Sequence, residues 1–330
     1  MIKSQATNGN GEYQNLQHDL IDEINFWRKK RNALIIAHNY QIPAIQDLAD
    51  FVGDSLELSQ KAAVTDSKLI VFCGVHFMAE SASIFSPDKT VLIPDLNAGC
   101  SLAASIDARE LRRWKRKYPD AVVVSYVNTS AEVKAESDYC CTSSNAVAIV
   151  NSIPASQPIL FVPDMFLGDF VARTTGRKNM IIYPGECHVH GRVRPADINE
   201  KMSEHPKAEF LIHPECGCVS TCMHYAASGD IDSSNTKILS TGGMMRHVKV
   251  SPTKEFVIAT ETGILHRLKK ENPSKSFVAL RDDMVCQFMK MITLPKLLHS
   301  LKNLEYEVKV PRGIAQRAKI PIQRMLDLSN

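Results

Sequence analysis

Three short aliphatic runs punctuate the chain, and each stops abruptly at polar residues. Leu34-Ile35-Ile36-Ala37 precedes His38-Asn39-Tyr40, Val122-Val123-Val124-Ser125 precedes Tyr126-Val127-Asn128, and Phe210-Leu211-Ile212 precedes His213-Pro214-Glu215. His38, Tyr126 and His213 are 88 and 87 residues apart, and self-similarity at a fixed spacing marks a repeated structural unit. Each run is followed by a helical segment and by further strands. Residues 69–72, 159–162 and 237–239 read as second strands, and 90–93, 180–183 and 255–258 as third strands. The third strands end in polar loops containing glycine: Pro94-Asp95-Leu96-Asn97-Ala98-Gly99-Cys100, Pro184-Gly185-Glu186-Cys187-His188 and Ala259-Thr260-Glu261-Thr262-Gly263. A helix then closes each unit. Asp107 and Glu110 are spaced as a capping box, and Pro195 suits a first helical turn. The three closing helices are expected to end near Tyr118-Pro119, His205-Pro206 and Asn272-Pro273. One more strand-like run, 276–280, is expected to dock back on the first unit.

Plain apolar strands alternating with helices predict parallel sheets covered on both faces. The expected fold is α/β, with three homologous three-layer αβα units on small parallel sheets, in a pseudo-threefold triangular arrangement around a central cavity. Residues 1–18 are expected to be a disordered tail, 19–106 unit one (completed by 276–330), 107–193 unit two and 194–275 unit three. Open parallel sheets bind ligands outside the carboxyl ends of their strands, which is where the polar residues of each repeat sit.

Composition narrows the function. The chain has 330 residues, 44% of them hydrophobic, which is enough for two or three cores, and a net charge of only +3. That balance gives no reason to expect a nucleic acid or an acidic membrane as partner. The basic run 112–117 lies in a helical pattern with Leu111, Trp114 and Tyr118 on one side, and reads as a solvated face. No stretch approaches the ~18–20 consecutive apolar residues of a membrane span. The polar N-terminus lacks the apolar core of an export signal. Nine cysteines, an odd number in a chain of this size, argue against a disulfide framework and for a reducing, cytoplasmic setting.

Some of those cysteines are ordinary buried residues, Cys73 among them. Cys100, Cys187 and Cys286 are different, because they give one thiol per unit near a strand end. Soft sulfur ligands suit an iron–sulfur cubane, and three of them leave one iron open as a Lewis acid. Spacing alone also allows incidental buried thiols, since no pair among the three forms a CxxC. A second cluster competes: His213-x-x-Cys216-x-Cys218-x-x-x-Cys222-x-His224 has the spacing of a zinc site. The same residues allow reduced thiols around a helix start, or a reversible Cys216–Cys218 or Cys218–Cys222 disulfide. His213 and Glu215, alternate residues of an extended segment, share a face and form a candidate proton-transfer pair. A serine or threonine before a helix is often only a cap.

Eight motifs, in order, resemble the quinolinate synthase family. They are Ala37-His38-Asn39-Tyr40-Gln41, Gly53-Asp54-Ser55, Gly74-Val75-His76-Phe77-Met78-Ala79-Glu80, Tyr126-Val127-Asn128, Thr142-Ser143-Ser144-Asn145-Ala146, Cys187-His188-Val189-His190, His213-Pro214-Glu215-Cys216 and Ser240-Thr241-Gly242-Gly243-Met244. The resemblance covers roughly residues 20–330. It implies a triangle of three α/β domains around one [4Fe–4S] cluster per chain, held by Cys100, Cys187 and Cys286. It implies a transferase that condenses iminoaspartate with dihydroxyacetone phosphate to quinolinate, phosphate and two waters in de novo NAD biosynthesis. An L-aspartate oxidase or dehydrogenase that makes iminoaspartate would be a functional partner. The implied catalytic residues are Tyr40, Tyr126, His213 and Glu215. His38, Ser55, Tyr126, Asn128, Ser143, His190, His213, Glu215, Ser240 and Thr241 are the implied substrate-binding residues. Two other functions compete. A hydroxymethylbutenyl diphosphate reductase shares the architecture, but its motifs are not found here. An iron–sulfur sensor would want a DNA- or partner-binding appendage, and the chain has no spare domain.

Overall fold

The computed structural model describes residues 9–219, 222–223 and 235–329. Among these residues the strands form three four-stranded parallel sheets. The first holds β1 (Ala33–His38), β2 (Phe51–Gly53), β3 (Leu69–Cys73) and β4 (Thr90–Leu92), in the order β2-β1-β3-β4. The second holds β5 (Val122–Tyr126), β6 (Tyr139–Cys141), β7 (Ile159–Val162) and β8 (Met180–Ile182), in the order β6-β5-β7-β8. The third holds β9 (Glu209–Ile212), β10 (Thr236–Ile238), β11 (Glu255–Ala259) and β12 (Ser276–Ala279), in the order β10-β9-β11-β12. The central strands are buried on both faces, as in β3 and β7, where every residue is buried. This is why their sequences lack alternation. Crossover helices cover the faces, so the fold is α/β with three αβα units.

The structure departs from the expected assignment of 276–330 to the first unit at both ends of that stretch. The run at 276–280 does not return to the first unit. As β12 it pairs in parallel with β11, from Glu255↔Ser276 to Ile258↔Ala279, and completes the third sheet. The stretch 237–239 is not the counterpart of 69–72 and 159–162. It is β10, the counterpart of the short edge strands β2 and β6, whose three residues carry no apolar pattern. The corrected alignment places Cys100, Cys187 and Cys286 after the same strand of each sheet, β4, β8 and β12.

The helix Leu294–Asn303 does reach the first unit, packing on β3 and on the helix Gly9–Arg31, while the helix Arg312–Asp327 lies along β6 and the short helix Ala131–Lys134. The helix Gly9–Arg31 begins inside the stretch expected to be tail. Among its described side chains, the core contacts begin with Leu20, Ile21, Ile24 and Trp27, just beyond that stretch. Residues 1–8 lie outside the described residues.

The helix ends follow from proline. Ser86, Tyr118, His205 and Asn272 each precede a proline, and all four take φ between −124° and −135° with ψ between 59° and 68°. Proline's ring disfavours helical geometry in the residue before it. The helices Ala108–Lys117 and Pro195–Glu204 thus stop cleanly, after placing Leu111 against the second sheet and Ile198 against the third.

Candidate active site

Loops after the strand ends of all three units line one pocket. The first unit contributes His38, Tyr40, Ser55 and Cys100. The second contributes Tyr126, Asn128, Ser143, Cys187 and His190, and the third His213, Glu215, Thr241 and Cys286. Of the residues expected from sequence, only Ser240 is not in the lining. Its Oγ accepts from Gly243 N at 3.1 Å and caps the helix Thr241–Val250, as serine before a helix commonly does. Its neighbour Thr241 lines the pocket and accepts from Asn39 Nδ2 at 3.2 Å.

A continuous chain of polar groups crosses the pocket wall. Tyr40 Oη lies 2.5 Å from Thr260 Oγ1, which lies 2.9 Å from His190 Nε2. His190 Nδ1 lies 3.1 Å from Glu215 Oε2, and the Tyr126 hydroxyl donates to Glu215 Oε1. The carboxylate can only accept, so Tyr126 O–H and His190 Nδ1–H donate to it. His190 Nε2 then accepts from Thr260, and Thr260 accepts from Tyr40. Every proton in the chain therefore points toward Glu215.

His213 and Glu215 line the same pocket and stand as a close pair, but no hydrogen bond joins their side chains. The chain turns after β9, with Cys216 N donating to His213 O at 2.9 Å. His213 Nδ1 stands 4.0 Å from Glu215 Oε1 and accepts instead from Glu215 N at 3.4 Å. His213 Nε2 faces Ser143 Oγ at 3.3 Å, and its ring stacks on His190 at 4.9 Å. Glu215 is thus served by His190 and Tyr126.

Burial sets the protonation states. It pushes His213 down to about 4 and, with His213 nearby, His38 down to about 3, so both imidazoles are neutral near pH 7. It pushes the Tyr40 and Tyr126 phenols well above their ordinary value, and the Glu215 charge adds to this. Burial also opposes the Glu215 charge. His213, the His190 hydrogen bond and the Tyr126 hydroxyl outweigh it and hold that carboxyl below its usual range.

The three thiols suit an iron–sulfur cluster. Each sulfur faces backbone N–H groups two and three residues further on: Leu102 and Ala103 for Cys100, Val189 and His190 for Cys187, and Phe288 and Met289 for Cys286. Such contacts stabilise cluster thiolates and tune their iron. Burial pushes Cys100 up to about 12 and raises Cys187 and Cys286 as well, so thiolates here require a cation beside them. A single ion about 2.3 Å from each sulfur holds two thiolates only about 3.8 Å apart. Among the described residues, one trio of His, Cys, Asp or Glu donors lies within 4.8 Å of one another, and it is Cys187, His190 and Glu215. The three thiols are not such a trio; they line the same pocket from the loops of three different units.

Cys216, Cys218 and Cys222 are buried in the apolar core of the third unit with Val219 and Met284, and all three are free thiols. Cys216 Sγ donates to Ala259 O at 3.2 Å. None of the three lines the pocket, and His213 of the same sequence cluster faces it. His224 lies outside the described residues.

Thr260, Glu261, Lys290, Ser101 and His188 were not anticipated. Glu261 is fully buried, pairs with Lys290 Nζ at 2.9 Å and accepts from Cys286 N at 3.1 Å, while Lys290 also donates to Tyr40 O. This ties the Cys286 loop to the Tyr40 loop. Correct strand alignment would have flagged Thr260 and Glu261, because they follow β11 as Gly74 and Val75 follow β3.

A family model described as quinolinate synthetase A protein matches residues 22–327. The quinolinate synthase of Thermus thermophilus is 52% identical over 307 residues, covering 93% of this chain and 96% of its own length. That of Pyrobaculum aerophilum is 48% identical over 310 residues, covering 94% and 100%. That of Mycobacterium tuberculosis is 51% identical over 300 residues, covering 91% and 86%.

Proposed function

The chain belongs to the quinolinate synthase family, and from that premise we propose that it condenses iminoaspartate with dihydroxyacetone phosphate in de novo NAD biosynthesis. This is a transferase reaction. The two substrates together contain the atoms of quinolinate, one phosphate and two waters, with no net change in oxidation state. No external oxidant or reductant enters. The observation that carries the proposal is the chain Tyr40–Thr260–His190–Glu215–Tyr126, which draws on all three units and runs beside the three thiols.

Cys100, Cys187 and Cys286 would hold one [4Fe–4S] cluster, which when bound supplies a Lewis-acidic iron for substrate oxygen or nitrogen. The remaining chemistry is proton transfer and positioning. Tyr126 takes a proton from substrate as its own passes to Glu215, and Tyr40 opens the other end of the chain to the pocket. Asn128 Oδ1 is buried in the lining with no protein partner, so it accepts from a substrate hydroxyl or N–H. His38, Ser55, Ser143 and Thr241 offer neutral donors to two carboxylates and a phosphate. Iminoaspartate would come from an L-aspartate oxidase or dehydrogenase. A cytoplasmic setting is part of the same proposal, and no described helix is long and apolar enough to cross a membrane.

The test is anaerobic loading with iron and sulfide, followed by a quinolinate assay on the two substrates without an electron donor. Quinolinate should accumulate over many turnovers. A loaded enzyme that makes none, or that works only with a reductant, overturns the proposal.

A further inference from the structure

We propose that the cluster-free chain has a second, mutually exclusive metal site, in which Cys187 Sγ, His190 Nδ1 and Glu215 Oε2 bind one borderline divalent cation, Zn²⁺ or Fe²⁺. His190 Nδ1 is 3.1 Å from Glu215 Oε2 and 3.4 Å from Cys187 Sγ, and all three ligand atoms lie within 4.8 Å of one another. A tetrahedral zinc with bonds of about 2.0 Å to nitrogen and oxygen and 2.3 Å to sulfur places adjacent ligands about 3.3–3.6 Å apart. The two separations from His190 Nδ1 are therefore already close to those of such a polyhedron, and the third needs at most a small closure. Cys100, Cys187 and Cys286 form no such trio.

The outer partners are in place as well. His190 Nε2 is 2.9 Å from Thr260 Oγ1, and the Tyr126 hydroxyl holds Oε1, the oxygen of Glu215 that faces away from the ion. Metal-bound imidazoles and carboxylates are oriented by this kind of contact. Charge also balances, since one thiolate and one carboxylate neutralise a divalent ion in a buried site. On binding, the Cys187 thiol releases one proton to solvent. The ring proton of His190 moves from Nδ1 to Nε2, where Thr260 accepts it. The pocket supplies the fourth position.

Cys187 belongs to the thiol trio and Glu215 to the proton chain. An ion here removes one cluster ligand and the group on which the protons converge, so it blocks cluster assembly and chemistry together. The inference needs no assignment of substrate.

The test uses the full chain, stripped of metal and kept reduced, titrated with Co²⁺ as a visible probe and then with Zn²⁺. One equivalent should bind, with thiolate-to-cobalt charge transfer from a single sulfur. Cys187→Ser and Glu215→Gln should weaken it beyond the ~10–100-fold typical of an outer-shell change, and Thr260→Val should weaken it within that range. A Cys100→Ser, Cys286→Ser double variant, which cannot build the three-thiolate cluster, should bind with close to wild-type affinity. Zinc added first should lower later iron incorporation. Equal loss of binding in that double variant, or unchanged binding in Cys187→Ser, overturns the site. A failed quinolinate assay would leave these titrations unaffected, so the two proposals fail separately.

Discussion

Ser101 and His188 tie together two loops that carry different cysteines. Ser101 Oγ lies 2.7 Å from His188 Nδ1 and accepts from His188 N at 3.3 Å. Ser101 follows Cys100, and His188 follows Cys187. Phe288, two residues after Cys286, stands edge-on to the His188 ring at 5.7 Å. The three cysteine loops are thus clasped to one another by protein contacts alone.

Ser101→Ala removes both hydrogen bonds, each worth about 1 kcal/mol, without opening a large cavity. The variant should fold normally, take up iron and sulfide more slowly, and lose its cluster faster on exposure to chelator. The decay of cluster absorbance measures this. Wild-type rates of gain and loss would show that the clasp does not position the loops.

Replacing Cys100, Cys187 or Cys286 singly by Ala should abolish the intact cubane and turnover. Cys140→Ala should do neither, because Cys140 is buried in β6 and absent from the pocket lining. Iron and sulfide analysis decides the matter. Full iron content in Cys286→Ala would remove it from the ligand set.

Glu215→Gln and Tyr126→Phe should each lower turnover by ~10²-fold or more, with the cluster retained. The two groups act in one relay, so the double variant should be little worse than either single one. His213→Ala should also slow turnover, through loss of the Ser143 contact and of the ring stacked on His190. Effects that multiply in the Tyr126→Phe, Glu215→Gln pair would argue for two independent groups.

His38 predicts an acid-sensitive fold. It is buried, and its value falls to about 3, against ~6.5 in an unfolded chain. Between those values the unfolded chain binds a proton that the folded chain does not. Stability is therefore full above about pH 6.5 and falls as pH drops toward 3. His38→Gln cannot titrate and should lose less stability between pH 7 and about pH 4.5. Urea denaturation at the two pH values, on cluster-free reduced protein, measures the difference. An equal loss in both proteins would assign the acid sensitivity elsewhere.

Much of this arrangement was legible in the chain, for identifiable reasons. The long central strands announce themselves because burial on both faces demands unbroken apolar runs such as Leu69-Ile70-Val71-Phe72. β2, β6 and β10 were invisible or misplaced because three edge residues need no such run, and that error sent 276–280 to the wrong unit. The cysteine per unit was readable, and the corrected topology sharpens it. The hydrogen-bond partners of Glu215 were not readable, since a two-residue alternation rule fails where the strand ends and the chain turns. His190, 25 residues away, meets Glu215 only through the packing of the second unit on the third, and Thr260 joins through His190 from the neighbouring strand β11 of the same sheet.

The last prediction concerns Cys216, Cys218 and Cys222, whose spacing looks more metal-like than that of the proposed cluster ligands. One helical turn brings Cys218 and Cys222 onto the same face: Cys222 N donates to Cys218 O at 2.8 Å, and the Cys218 thiol is hydrogen-bonded to both Cys216 and Cys222. What argues against a part in the cluster is therefore their place in the fold, not their separation from one another. The three side chains are sequestered with Val219, Met284 and Leu280 in the core behind the third sheet, away from the pocket. A Cys218→Ser, Cys222→Ser double variant should accordingly keep a full complement of iron and near-native turnover under reducing conditions. Serine in an apolar core costs some stability, so a lower unfolding temperature is expected alongside unchanged cluster spectra. If these thiols instead pair reversibly, wild type alone should change activity between oxidised and reduced thiol buffers, and the double variant should not. Loss of the cluster in the double variant, with the fold intact, would mean that iron depends on these thiols, and the assignment of one ligand per unit would fall.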